Sequence, residues 1–263
     1  MVAKSVVINR RRLGPIGLMR ELAWARRAGM VPESVFRLFR PFHGPNFDAV
    51  YDRVMADETG RRILREGRSL QPVLLDFDRL RSLPSGTLGH EYVHFLEANE
   101  IDIVAFAEAS LRHMAREDYA NSEAWTLANR ARDIHEIVHV ISGYGTDLLG
   151  EMCGLAFAIR EDSRPRATCF QIRTNVAIYH RHGLRHAEAS IGQAFERGRR
   201  VGVIVGADWE AMLDWQLDDV RAHLGISKPP SYEPIWLPGE NPTFMDGFRA
   251  SLSRTPGGPL AAS

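Results

Sequence analysis

The sequence has few cysteines, no long apolar run and no excess charge of either sign. Two cysteines, Cys153 and Cys169, stand among 263 residues, which excludes a framework of several disulfides and favours a reducing compartment. Both lie in apolar segments of helical pattern, so we expect buried free thiols. No stretch approaches the roughly 18 consecutive apolar residues that a membrane-spanning helix needs.

The charge balance restricts the partners. Lysine and arginine together number 33, as do aspartate and glutamate, so the formal net charge is zero. A nucleic-acid-binding protein needs a basic excess to neutralise phosphates, and no nucleic acid is expected here. Residues 1–12 form a basic arm without acidic residues, which either contacts an acidic lipid surface or remains a solvated tail.

Helical periodicity dominates the chain and predicts an all-α fold. We expect one mostly helical domain over residues 1–226, followed by a proline-rich tail over 227–263 that wraps the body in extended form. The spacing of apolar residues and caps predicts helices over 102–119, 123–142, 147–161, 167–182 and 185–205. Residues 71–76 form the one segment with a strand-like pattern.

The segment His-Glu-Ile-Val-His at 135–139 is typical of a metal site. His135 and His139 stand at i and i+4, on one face of a helix, where both rings can bind a single ion. Glu151 follows the glycine turn at 143–145, so a helical hairpin can bring its carboxylate to the same ion. Glu136 is either a fourth ligand or a catalytic base acting on bound water.

Two histidines with one or two carboxylates suit several divalent metals. Zinc is the first expectation, and iron, manganese and magnesium fit the same ligand types. The alternative is a helix whose two histidines are partly buried and bind nothing. A zinc peptidase with Glu136 as its base is a further alternative.

Two other histidine clusters offer comparisons. His90 and His94 repeat the motif. Twelve residues after His94 the sequence has Phe106, whereas twelve residues after His139 it has Glu151, so we interpret His90 and His94 as packing or supporting residues. A third cluster contains His180, His182, His186 and the neighbouring Arg181 and Arg185. It is either a solvated basic face or a contact for an anion or lipid headgroup.

Four collinear segments resemble the coenzyme Q (ubiquinone) biosynthesis protein 4 family. The hallmark of that family is His-Asp-x-x-His, eleven residues and then Glu, and here residues 140–150 give the same count. The other three are Asp-Glu-Thr-Gly-Arg-Arg-Ile-Leu at 57–64, Leu-Pro-Ser-Gly-Thr-Leu-Gly-His at 83–90, and Trp-Glu with Leu-Asp-Asp-Val-Arg at 209–221. The likeness covers about residues 50–226. Glu136 departs from the family's aspartate, and the turn at 142–147 also differs, which is typical of a divergent member.

The resemblance implies a function in ubiquinone biosynthesis. It implies a helical, peripheral membrane protein with a divalent metal near a channel for an isoprenoid chain. The expected activity is oxidative decarboxylation and hydroxylation at ring carbon 1 of a polyprenylated hydroxybenzoate-type precursor. The alternative is a non-catalytic scaffold or lipid-binding organiser of the ubiquinone synthesis complex.

The expected partners and location follow from the same resemblance. The partners are a polyprenyl quinone precursor or other isoprenoid lipid, other ubiquinone biosynthesis proteins, and a second copy in a homodimer. The expected location is the cytoplasmic face of a bacterial inner membrane or the matrix side of the mitochondrial inner membrane.

Overall fold

Helices account for nearly all regular structure in the described part of the chain. The computed structural model describes residues 5–6, 45–105, 107–108, 116–162, 165–228 and 231–236. Its helices are α1 (Pro45–Ala56), α2 (Glu58–Glu66), α3 (Gln71–Leu74), α4 (Phe77–Ser82), α5 (Leu88–Ala98), α6 (Ser122–Asp133), α7 (His135–Ser142), α8 (Leu148–Phe157), α9 (Pro165–Arg181), α10 (His186–Gly198), α11 (Trp209–Met212) and α12 (Leu217–Leu224). Residues 103–105 and 107–108 are also helical. These residues contain no strand, and the predicted all-α fold is confirmed.

Three predicted elements differ from the structure. The helix expected over 123–142 is divided into α6 and α7 at Ile134, whose ψ of 0° turns the backbone between them. The helix expected over 185–205 ends at Gly198. The strand-like segment contains α3, with Pro72 in its first turn, because a short apolar run does not distinguish a strand from a buried helix.

α8 has the more extensive packing against other helices of the two helices that form the site. It packs against α7, α9 and α10, most extensively against α10. A Cβ atom on Gly198 would lie 1.9 Å from the carbonyl oxygen of Phe157, so only glycine allows α10 to approach the end of α8 this closely. This packing fixes the helix that carries Glu151.

The carboxyl end of α7 is held by two arginines from distant parts of the chain. Arg221 donates to the carbonyl oxygens of Val140 and Ile141, each at 3.0 Å. Arg197 donates to the carbonyl oxygen of Ser142, also at 3.0 Å. The last carbonyls of a helix have no partner within it, so these contacts satisfy them and hold α7 in place.

The described part of the tail lies against the start of α8. The Tyr232 hydroxyl donates to the Asp147 carboxylate. The backbone N–H of Ile235 donates to the same carboxylate at 3.0 Å, and the N–H of Leu148 donates to the Ile235 carbonyl at 3.1 Å. Residues 231–236 therefore pack beside the turn that precedes Glu151.

The remaining terminal predictions fall mostly outside the described residues. Of the basic arm, only residues 5–6 are described, and the Val6 N–H donates to Asp48 at 2.9 Å. Residues 1–4 and 7–12 of the arm, and 229–230 and 237–263 of the tail, lie outside the described ranges. Within the described ranges, no helix has the length and apolar character to cross a membrane.

The two thiols occupy different environments. Cys153 is buried in α8, and burial raises the pKa of its thiol to about 12. Cys169 is exposed on α9, so the expectation of a buried thiol is wrong at this position. Residue 169 lies on a solvent-facing side of its helix.

Candidate metal centre

The four predicted site residues lie together where α7 and α8 meet. The rings of His135 and His139, one helical turn apart, have centroids separated by 5.0 Å and are edge-on to each other. Glu151 places its Oε2 3.9 Å from Nε2 of His135 and its Oε1 3.7 Å from Nε2 of His139. Donor atoms of His135, Glu136 and His139 all lie within 4.8 Å of one another. The glycine turn therefore reverses the direction of the chain and brings Glu151 close to the two histidines, as the sequence predicted.

His139 is the most constrained member of the group. Its side chain is 2% exposed, and its ring stacks on Phe95 of α5 with centroids 5.6 Å apart. Its Nδ1 lies 3.0 Å from the carbonyl oxygen of Tyr144. A carbonyl only accepts hydrogen bonds, so Nδ1 carries the proton and Nε2 presents its lone pair beside Glu151. Sequence reasoning identified neither Phe95 nor Tyr144 as part of the site.

Glu151 is placed by the first turn of α8. Asp147 caps this helix by accepting from the backbone N–H groups of Leu149 and Gly150 at 3.1 and 3.0 Å. A Cβ atom on Gly150 would lie 2.2 Å from the carbonyl oxygen of Gly145, so the tight return of the chain requires glycine. The carboxylate of Glu151 therefore reaches the histidines from a rigid helical start.

Burial is the largest cause of the pKa shifts of Glu151, Glu136 and His135. It raises the pKa of Glu151 to about 7, where nearby His135 opposes the shift and Glu136 and Asp147 add to it. Burial also raises the pKa of Glu136. Although 43% of the His135 side chain is exposed, partial burial and the neighbouring His139 lower its pKa to about 4. At neutral pH the ring is therefore uncharged, and one of its two nitrogens carries no proton and is available to a metal.

The arrangement fits a divalent cation. Within the described ranges no arginine or lysine pairs with Glu136, which is buried, or with Glu151, whose side chain is 24% exposed, so the two acids stand together without a protein cation. A zinc ion at about 2.0–2.2 Å from each ligand keeps neighbouring ligands about 3.5 Å apart. The distances from the Glu151 oxygens to the two histidines, 3.9 and 3.7 Å, are slightly longer than this. His135, Glu136, His139 and Glu151 could hold such an ion, and the exposed edge of His135 leaves one side open to a ligand.

A partly open pocket lies beside this group. It is small, with a cavity volume of about 20 Å³, and is lined by Gln71, Leu74, Leu75, Tyr92, Ile103, Ala107, Arg132 and Asp133. The Tyr92 hydroxyl and one oxygen of Asp133 are buried with no hydrogen-bond partner among the described protein atoms. Burial raises the pKa of the Tyr92 phenol, and the nearby carboxylates of Glu136 and Asp133 add to the shift. An apolar wall thus meets unpaired polar groups close to Glu136.

The second histidine motif takes no part in the site. Nδ1 of His90 lies 3.3 Å from Oε1 of its neighbour Glu91. His94 is exposed on α5, so its interpretation as a packing or supporting residue is wrong. The same helix does contribute Tyr92 and Phe95, which lie on its buried and half-buried sides.

The third histidine cluster lies at the surface around the end of α9. His180 is exposed, with Nε2 3.2 Å from Oε2 of Glu188. His186 has Nδ1 4.0 Å from Oε2 of Glu233. His182 is exposed. These histidines do not converge on a common point with the first group.

Comparison with known proteins identifies the family. The sequence model of the family described as "Coenzyme Q (ubiquinone) biosynthesis protein Coq4" matches residues 42–230, which include all four site residues. The chain belongs to the Coq4 family. This family acts in ubiquinone biosynthesis, so the resemblance seen in the sequence is confirmed.

Coq4 relatives come from animals and fungi. The mitochondrial COQ4 homolog of Bos taurus is 28% identical over 179 residues, which cover 68% of this chain and 65% of the relative. COQ4 of Yarrowia lipolytica is 25% identical over 179 residues, covering 68% and 66%. COQ4 of Pyricularia oryzae is 30% identical over 181 residues, covering 68% and 57%. The chain thus spans slightly less than two thirds of the length of the first relative.

One solved structure shows the same fold. It is a crystal structure of a protein from Nostoc punctiforme PCC 73102 that has been assigned provisionally to ubiquinone biosynthesis. The match has a TM-score of 0.61, covers 80% of this chain and 95% of the other, and has 19% sequence identity. The likeness therefore concerns the helical architecture.

Proposed function

We propose that this Coq4 protein is a metal-dependent enzyme acting on a polyprenylated hydroxybenzoate-type precursor of ubiquinone. The observation that carries the proposal is the convergence of His135, Glu136, His139 and Glu151, with the edge of His135 open to solvent. A structural metal site is normally closed, whereas a catalytic site keeps one position for water or substrate. The reaction would replace the ring carboxyl at carbon 1 by a hydroxyl, releasing carbon dioxide and requiring an external oxidant.

Three of the residues would bind the ion, and Glu136 would either bind it as well or hold a proton. The two Nε2 atoms and the Glu151 carboxylate would hold the ion, with zinc as the first choice and iron, manganese or magnesium as alternatives. When bound, the ion would supply Lewis acidity toward the ring carboxylate or phenolate. Glu136, with its raised pKa, would be the fourth ligand or would hold a proton close to the ring.

The neighbouring pocket combines apolar and polar walls, and with a volume of about 20 Å³ it would have to widen to admit an isoprenoid chain. Leu74, Leu75 and Ile103 provide an apolar wall for an isoprenoid chain, and the unpaired oxygens of Tyr92 and Asp133 lie at the polar end. Such a substrate resides in a bilayer, so the protein would act as a peripheral membrane protein, on the cytoplasmic or matrix side. It would work beside other ubiquinone biosynthesis proteins, as the pathway assignment of the family implies.

The test combines a defined conversion with a matched pair of histidine variants. Purified protein, loaded with each candidate metal, is given a polyprenyl hydroxybenzoate whose carboxyl carbon is labelled, in air-saturated buffer so that dioxygen can serve as the two-electron oxidant. Release of labelled carbon dioxide and formation of the hydroxylated ring are followed by mass spectrometry. We expect conversion by the wild type and by His94→Ala, and none by His139→Ala.

The same variants separate the enzyme from its alternative. In a strain that lacks this step, a folded and metal-free His139→Ala protein that restores normal ubiquinone synthesis would contradict catalysis at this site. That outcome would instead support a non-catalytic scaffold or lipid-binding organiser. In a scaffold of this kind the metal would be structural. The nearly complete burial of His139 and Glu136, which are 2% and 7% exposed, favours this alternative.

A further inference from the structure

The outward face of α9 combines arginines with an exposed aromatic side chain. Arg166, Phe170, Arg173, Ala177 and Arg181 follow one another at intervals of three or four residues, so they share one side of the helix. All five are exposed, and Phe170 exposes 74% of its surface. A large apolar side chain in water is unfavourable, so this exposure needs a reason.

The same region lacks acidic residues. Between Asp162 and Glu188 the sequence has no aspartate or glutamate. Among the described residues, none of the three arginines on the outward face of α9 has an acidic partner. At the end of α9, His180 pairs with Glu188, and just before its start Asp162 accepts from the Thr168 hydroxyl on the inner side of the helix. The outward face of α9 is therefore a positively charged surface with an apolar centre.

The opposite face of α9 is fixed to the body of the protein. Tyr179 is 2% exposed, and its hydroxyl donates to the carbonyl oxygen of Leu148 at 3.1 Å. Thr168 is buried on the same side. The helix is anchored against α8, which carries Glu151, and presents its basic face outward.

We propose that the outward face of α9, formed by Arg166, Phe170, Arg173, Ala177 and Arg181, binds the surface of an anionic lipid bilayer. Arginines on the polar side and an inserted aromatic ring are the features by which a helix lies on a charged membrane interface. A second copy of the chain is a poorer occupant. A two-fold contact through this face would bring its arginines against their own copies, with no acid on α9 to pair with them.

This surface extends the proposed function, because α9 packs against α8. Binding of α9 to a bilayer would place the candidate metal centre one helix away from the lipid. The inference depends on the proposed function in one respect: the proposed substrate would reside in a bilayer, which gives the protein a reason to bind one. Lipid binding itself needs neither substrate nor metal. Failure of the vesicle experiment and failure of the catalytic experiment are therefore separate results.

The natural cysteines permit a direct measurement. Cys169 is exposed beside Phe170, whereas Cys153 is buried and holds its proton, so a thiol-reactive, polarity-sensitive dye labels position 169. The labelled full chain is mixed with vesicles of phosphatidylcholine alone, or of phosphatidylcholine and phosphatidylglycerol in equal amounts. We expect a blue shift and co-sedimentation with the anionic vesicles only, both weakened by added salt.

Matched variants locate the surface. Arg166→Glu/Arg173→Glu should lower partitioning onto anionic vesicles by at least about thirtyfold, since each basic residue contributes about a factor of five. Arg65→Glu/Arg81→Glu makes the same charge change on exposed arginines of α2 and α4 and should have a much smaller effect. Phe170→Ser should weaken binding, with Trp215→Ser as the aromatic control.

Three outcomes would overturn the proposal. One is equal binding to neutral and anionic vesicles. Another is equal loss of binding in the two arginine pairs, which would indicate a diffuse effect of net charge. The third is a change in sedimentation coefficient of Arg166→Glu/Arg173→Glu without a change in lipid binding, which would assign the outward face of α9 to contact between copies of the chain. Circular dichroism of each variant confirms that the helices remain intact.

Discussion

Nδ1 of His139 lies 3.0 Å from the carbonyl oxygen of Tyr144, and this contact fixes which nitrogen of the ring is available. The carbonyl belongs to the turn between α7 and α8, so the loop that returns the chain also orients the ligand. A hydrogen bond of this kind sets the tautomer of a metal-binding histidine and increases its basicity. The geometry leads to five predictions.

His139→Ala should abolish tight metal binding, while His94→Ala should leave it unchanged. Both substitutions remove the second histidine of an identical His-Glu-x-x-His pattern, but only His139 lies beside Glu151. Loss of a residue that only hydrogen-bonds to a metal ligand lowers metal affinity about 10–100-fold. Loss of the ligand His139 itself should therefore lower the affinity by more than about 100-fold. Metal content after dialysis, measured by elemental mass spectrometry, checks this. Equal loss in both variants would contradict the assignment.

Metal affinity should increase with pH. The pKa of Glu151 is raised to about 7, so below that value the ion must displace a proton from this carboxyl group. The pKa of His135 is lowered to about 4, so that ring needs no deprotonation at neutral pH. We expect about a tenfold increase in apparent affinity between about pH 6 and about pH 8. Titration calorimetry in buffers of different protonation enthalpy would also count the proton released.

Glu151→Gln should stabilise the metal-free protein at high pH. The folded pKa of about 7 lies above the ordinary value of 4.5, so the folded state binds the proton more tightly than the unfolded chain does. The stability of the wild type should therefore fall as pH rises from 4.5 to about 7 and stay low above it.

Chemical unfolding in the presence of a chelator checks this prediction. The Gln variant should be more stable than the wild type by about 1–3 kcal/mol near pH 8, and the difference should vanish near pH 4.5. With metal added, the order should reverse, because the variant loses a charged ligand. A constant difference at all pH values would show that the effect is not due to ionisation of Glu151.

Gly150→Ala should destabilise the fold, while Gly192→Ala should not. A methyl group at position 150 would lie 2.2 Å from the carbonyl oxygen of Gly145 and 2.7 Å from Asp147 Oδ2. The turn must shift, at a cost of about 1–3 kcal/mol. Gly192 has open space around it in α10, so alanine there should stabilise the helix by about 0.5–1 kcal/mol.

Thermal unfolding of the two glycine variants gives the comparison. Gly150→Ala should also weaken metal binding, since the turn positions Glu151 and the Tyr144 carbonyl. Gly192→Ala should bind metal as the wild type does. Normal metal binding in a destabilised Gly150→Ala protein would show that the site tolerates movement of the turn.

Tyr92→Phe should stabilise the protein. The Tyr92 hydroxyl is buried without a hydrogen-bond partner in the described protein, and an unsatisfied buried hydroxyl costs about 1–3 kcal/mol. Removing it keeps the shape of the ring and eliminates that cost. An increase in melting temperature supports this account. A decrease would show that the hydroxyl has a partner, such as water, that the phenylalanine loses.

The sequence alone predicted the helical class and the composition of the site. The i, i+4 spacing of His135 and His139 is a property of the helix itself, and the count of residues to Glu151 requires only a tight turn between two helices. Such local geometry follows from helix period and turn chemistry, so it is readable along the chain. The collinear segments likewise predicted the Coq4 family.

Tertiary structure decided everything that depends on residues distant along the chain. The same five-residue pattern occurs at 90–94 and 135–139, yet only the second has its last histidine buried, because α8 packs against α7 beside His139 while His94 faces solvent. The stacking of Phe95 on His139, and the two arginines that hold the end of α7, come from separate segments. The break at Ile134 also overrides a continuous helical pattern. Periodicity determines which residues share a helix face, whereas burial depends on which helices pack against that face, and this is set by the whole chain.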